Sequence, residues 1–146
     1  MNTTRQLIIT VIAVLLLAGC TLEASDNSKL NGYWQLTTVD TLATGHSSDY
    51  RNQLIFWAVQ ANLLEIRDLK RDEQNILFRF RHEGDKLTLS QPIIDDRTVS
   101  DIVVDDPSLL SPYGFTSIEE TFTVRQLTNS NMTLVNQCYG LHFRKY

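Results

Sequence analysis

A chain of 146 residues with 42% hydrophobic side chains is one domain by length and has enough apolar material for a real core. Its 13 Lys and Arg stand against 17 Asp and Glu, a formal net charge of −4, which argues against a nucleic-acid partner.

The first element is not part of the fold. Met1 to Arg5 is a short polar stretch with one positive charge, and Leu7 to Leu17 is an apolar run too short to span a bilayer. Leu17-Ala18-Gly19-Cys20 follows and resembles a bacterial lipobox, in which small residues precede an essential cysteine that carries the lipid. The expected organisation is therefore a lipoprotein-type signal peptide over 1–19, lipid attachment at Cys20, a flexible tether over 20–29 and a barrel domain over 30–146. Removing Arg5 with the signal leaves 12 Lys and Arg against 17 Asp and Glu, net −5. With Cys20 acylated, the second cysteine, Cys138, has no partner within the chain and is expected as a small buried residue. Thr21 to Lys29, small and polar with Glu23 and Asp26, resembles only loosely the surface-export signals of Bacteroidetes lipoproteins, which leaves the side of the membrane open.

Leu30 to Asp40 alternates, with Leu30, Gly32, Trp34 and Leu36 on one face and Asn31, Tyr33, Gln35 and Thr37 on the other, as a half-buried strand does. Gly32 leaves room for a backbone or a long side chain to approach the Trp34 indole. Ala43 to Asp49 reads as a loop. Between Gln53 and Asp68 the apolar face changes parity, from Ile55, Trp57, Val59 and Ala61 to Leu64 and Ile66. With no Gly or Pro to make a tight turn, this predicts a long strand bulged near Gln60 to Asn62; a short hairpin is the alternative.

Ile76, Phe78 and Phe80 alternate with Arg79 and Arg81, Glu83-Gly84-Asp85 turns the chain, and Leu87 and Leu89 return it, a β-hairpin. Pro92 to Gly114 is acidic and holds apolar pairs, with one helical turn capped by Asp106, opened by Pro107 and stopped by Pro112. A connection of that length serves a function or a lid, and Ile93, Ile94, Val103, Val104, Leu109 and Leu110 must cover something. Ser117 to Glu120 allows at most one helical turn before a strand from Thr121 to Arg125; Met132 to Val135 and Gln137 to Lys145 are the last two strands. Seven or eight antiparallel strands joined in sequence order predict an all-β, up-and-down β-barrel of about eight strands, with a long loop carrying a short helical turn.

Gly32-Tyr33-Trp34 on the first strand and Leu141-His142-Phe143-Arg144 on the last resemble the opening and closing motifs of lipocalins and related calycin barrels. With Ile55 to Gln60, Phe78 to Asp85 and Asp106 to Gly114 they are similar to the uncharacterised lipocalin-like lipoproteins of the Bacteroidetes. That resemblance implies a lipid-anchored lipocalin-like barrel in the cell envelope, on the outer membrane. It also implies that Gly32, Trp34 and Arg144 close the barrel, with the Arg144 guanidinium laid against the Trp34 ring.

Chemistry is sparse. His46, His82 and His142 lack metal-site spacing, and Asp95, Asp96, Asp101, Asp105 and Asp106 lack the spacing of a calcium loop, so no metal is expected. No nucleophile motif or phosphate loop is present, and neither enzymatic turnover nor a cofactor is expected. The remaining candidates are Trp34, Phe56, Trp57, Phe78, Phe80 and Phe122, which either line an apolar pocket or fill the barrel solid. The leading expectation is a membrane-anchored barrel that binds a small hydrophobic ligand; the alternative is an envelope-assembly accessory or inhibitor with a solid core that grips another envelope protein through the 92–114 loop.

Overall fold

The computed structural model describes residues 27, 29–70, 75–95, 98 and 100–146. The signal, Cys20, most of the tether, Asp96 and Arg97 lie outside the described residues. One antiparallel sheet holds ten strands: β1 (Gly32–Thr41), β2 (His46–Asp49), β3 (Ile55–Gln60), β4 (Leu63–Asp68), β5 (Ile76–Glu83), β6 (Lys86–Ile94), β7 (Ile102–Val103), β8 (Glu120–Leu127), β9 (Asn131–Val135) and β10 (Tyr139–Lys145). Eight of them close into a barrel in the order β1, β3, β4, β5, β6, β8, β9, β10, and β10 pairs back onto β1 from Trp34↔Lys145 to Thr41↔Tyr139. The two short strands are additions: β2 pairs the far half of β1, and β7 pairs the end of β6. Closure leaves the main wall without an edge.

Alternation decides which side chains face in. Trp57 and Val59 of β3, Leu64 and Ile66 of β4, Phe78 and Phe80 of β5, Leu87 and Leu89 of β6, and Leu141 and Phe143 of β10 are all buried in one core. Three bulges reset the parity. β1 carries an extra residue at Thr37, so its inward set passes from Trp34 and Leu36 to Val39. β8 carries one at Arg125. β6 carries one between Ser90 and Ile93, where Gln91 adopts φ +52. A left-handed glutamine costs about 1–3 kcal/mol and persists only where its surroundings hold it.

The parity change after Val59 comes from a hairpin rather than a bulge. Gln60 pairs Leu63, and Ala61-Asn62 is a two-residue turn in which Ala61 supplies the positive φ (+55) that glycine usually provides. The predicted loop over 43–49 likewise contains β2. Asp106 caps the helical turn, accepting Ser108 N–H at 2.9 Å. Pro112 does not stop that turn; it lies inside a second one, Ser111–Tyr113, which Gly114 ends at φ +86. Cys138 is exposed rather than buried. It sits in a tight β9–β10 turn where Asn136 Oδ1 accepts the N–H groups of Cys138 (3.0 Å) and Tyr139 (2.9 Å).

The barrel has two unlike ends. Where the chain enters, Leu30 is buried and its carbonyl accepts the Trp34 indole N–H at 2.8 Å. The other end is crossed by the segment from Val104 to Phe115, which buries Val104, Leu110, Tyr113 and Phe115 against the core.

Candidate functional site

Of the six aromatic residues read as pocket lining, Trp34, Trp57, Phe78, Phe80 and Phe122 face the core. Phe56 does not. Its neighbours Ile55 and Trp57 take the inward positions, so its ring lies on the outer wall, stacked on Tyr33 at 4.8 Å and met edge-on by Tyr146 at 5.4 Å.

The inward rings touch one another. Trp57 lies 6.0 Å from Phe122 and 4.7 Å from Phe143. Phe115, from the long connection, stacks on Phe78 at 5.1 Å and 12°, meets Phe122 edge-on at 5.5 Å and lies 5.9 Å from Trp57. Phe115 is the central residue that sequence reasoning missed; its only signal was an aromatic placed directly after Pro112-Tyr113-Gly114.

Phe115 is also fixed from both sides. Before it, the Gly114 carbonyl accepts Asn136 Nδ2–H at 2.8 Å, and a Cβ on Gly114 would stand 2.7 Å from Leu141 Cδ2. After it, buried Glu120 accepts the Thr116 N–H at 2.6 Å and its hydroxyl at 2.8 Å. Withdrawing the ring breaks a buried amide hydrogen bond and two part-buried bonds to a carboxylate, which is costly, so Phe115 behaves as core rather than as a detachable lid. One polar group stands apart inside the barrel: the buried Trp57 Nε1–H has no hydrogen-bond acceptor among the described residues.

The six apolar residues of the long connection divide. Val104 and Leu110 are buried, Ile93 and Ile94 are half-buried, and Leu109 and Val103 are exposed, Val103 by 71%.

The closing seam corrects the expected cation. Arg144 pairs with Gln35 in register and donates to its Oε1 at 3.2 Å, whereas Lys145, opposite Trp34, sets its Nζ 4.7 Å from the indole centroid. Register explains the exchange: the residue facing Trp34 is one place beyond the arginine. Gly32 leaves the space that the lysine uses, since a Cβ there would stand 2.6 Å from Lys145 Cε. On the outside of the same seam, His142 Nε2 lies 2.6 Å from Asp40 Oδ2 and Nδ1 lies 3.3 Å from Thr133 Oγ1, while Ser47 donates to Asp40. Ser47 and His142 together hold the Asp40 carboxyl below its ordinary pKa. This chain of contacts ties β2, β1, β10 and β9 together, and among the described residues no group of three His, Cys, Asp or Glu is placed to hold a metal ion.

The outer wall carries relief of its own. A groove of about 580 Å³ runs over β4, β5, β6 and β7 between Leu63 and Val103, with Leu77, Ile93, Arg79 and Asp101 along it. A smaller one of about 330 Å³ adjoins it, sharing Leu63 and Leu77 and bordered by the Glu65–Arg67 ion pair at 2.7 Å. At the covered end a polar cleft of about 450 Å³ lies between Tyr50, Asp68, Ser111 and Tyr139.

Comparison with known proteins agrees with this geometry. Residues 15–146 match the family described as a lipocalin-like domain. A crystal structure of a lipocalin-like protein from Bacteroides uniformis superposes with a TM-score of 0.61 at 19% identity, covering 82% of this chain and 100% of that one. That of an uncharacterized protein from Bacteroides eggerthii gives 0.58 at 18% identity, covering 80% and 98%. These likenesses bear on the fold. No curated protein matches the chain.

Proposed function

Because this chain belongs to the lipocalin-like domain family, we propose that it is a non-enzymatic binding protein of the cell envelope, lipid-anchored through Cys20, whose filled barrel takes its target on the outside. One observation carries the reading: Phe115, held by Asn136 and Glu120, occupies the middle of the aromatic residues that would otherwise line a pocket. A filled barrel is a rigid frame for its surface, and exposed Val103 and Leu109 on the long connection suit an envelope protein as the target. The Leu17-Ala18-Gly19-Cys20 junction directly after an apolar run supports the anchor.

A second reading rests on Trp57. A buried N–H without an acceptor favours a small ligand with an oxygen atom inside the barrel.

Titration with benzene and with cyclohexanone, followed by the Trp57 indole N–H resonance, separates the two. The filled barrel leaves that resonance unmoved, while Phe115→Ala opens a ring-sized space that takes up benzene. Saturable movement in the native protein with cyclohexanone would overturn the first reading in favour of the second. For the anchor, labelled palmitate is expected to enter the native protein and to be absent from Cys20→Ser; label in the variant would refute it.

A further inference from the structure

We propose that the outer-wall groove between Leu63 and Val103 is a binding site for an apolar carboxylic acid, its carboxylate on Arg79 and its apolar body along Leu77, Ile93 and Val103. This rests on the reading that targets are taken outside the barrel and names a chemical class for one of them.

The groove is a product of the backbone. The extra residue in β6 lifts the strand at left-handed Gln91, and Pro92 after it offers no N–H to the ladder. The strand then continues displaced, and β7 pairs it there through Ile93↔Val103 and Ile94↔Ile102. Leu77, Ile93 and Val103 are register partners across three strands, so they form one outward apolar row. A row of this kind on an outer wall ordinarily carries polar side chains facing water. The volume, about 580 Å³, falls within the range of small-molecule pockets, as does a lining that is mostly apolar with few polar groups.

Charge selects the ligand. Arg79 lines the groove on β5, and among the described residues it has no ion-pair partner within 4.0 Å, unlike Arg51, Arg67 and Arg81; Arg125 and Arg144 also lack one but do not line the groove. A planar guanidinium beside an apolar row fits a carboxylate through two parallel hydrogen bonds. Asp101 stands across β6 from it and repels a second anionic group, so the ligand carries one carboxylate at one end.

Equilibrium dialysis of the full chain in phosphatidylcholine nanodiscs, against empty nanodiscs, tests this with 4-phenylbutyrate, 4-phenylbutanol and 4-phenylbutylamine as probes. The acid is expected to bind at least ten-fold more tightly than the alcohol, and the amine least. Arg79→Gln should abolish the preference for acid over alcohol, and Val103→Asp should weaken the acid at least ten-fold; both side chains are exposed, and unchanged melting curves would show that the barrel is intact. Equal binding of acid and alcohol, retention of the preference in Arg79→Gln, or no retention of the acid up to 10 mM would each overturn the assignment. Absence of acid binding while the Trp57 resonance stays silent to cyclohexanone sinks the groove and spares the filled barrel; cyclohexanone entry with acid binding intact does the reverse.

Discussion

Trp57 and Phe56 are neighbours on one strand, yet they live in different chemistries. Trp57 lies inside, fully buried among the rings of Phe115, Phe122 and Phe143. Phe56 lies outside, covered by Tyr33 and by Tyr146, itself 78% exposed. The two walls of one sheet thus differ in what may change: inside, any lost volume is felt, whereas outside a neighbour can settle into the gap.

The contrast is open to mutation. Trp57→Ala is expected to cost about 3–5 kcal/mol in guanidinium unfolding at constant m-value, against about 1–2 kcal/mol for Phe56→Ala, whose covering rings can collapse onto the space. Equal losses would show that the outer aromatic cluster is as tightly packed as the core. At the seam, a cycle with Trp34→Phe and Lys145→Met should give a coupling of about 0.5–1 kcal/mol, and none when Arg144→Met replaces the lysine change. Coupling to Arg144 instead would restore the expected pairing.

The smallest effect is electrostatic. The Asp40 carboxyl lies below its ordinary value of 3.8, so its contribution is fully present above that value and disappears as the pH falls through the lowered one. Its side chain is 32% exposed and His142 is 38% exposed, which limits the contribution to under about 1 kcal/mol. Asp40→Asn should flatten the acid limb of the stability curve; an unchanged limb would place the effect elsewhere.

Much of the barrel was legible because alternation is a local property. The β5–β6 hairpin announced itself through Phe78, Arg79, Phe80 and Arg81, with Glu83-Gly84-Asp85 at its tip. The β3–β4 turn was harder to read, because Ala61 adopts a conformation that composition assigns to glycine. The seam cation was off by one residue, since register across the closing pair depends on the bulge at Thr37, which leaves no mark in composition. Cys138 follows turn geometry rather than residue preference. The pocket candidates were recognised as aromatic and inward with one exception, Phe56, but whether they line or fill depends on Phe115, delivered from a connection without periodicity. The groove depends on Gln91 and on pairings made far from it in sequence, and nothing within a short window announces it.

The β1–β10 pairing also sets the order of events in biogenesis. Trp34 and Lys145 meet across more than a hundred residues, so the loop that closes the barrel is nearly the whole domain. Until β10 is available, the other strands can form only an open sheet, with one border on β1 and the other on β9. Such borders invite pairing with other chains. A chain shortened before Tyr139 is therefore expected to aggregate rather than fold into a smaller barrel, and in the native chain folding is governed by the slow, long-range docking of its last seven-residue strand.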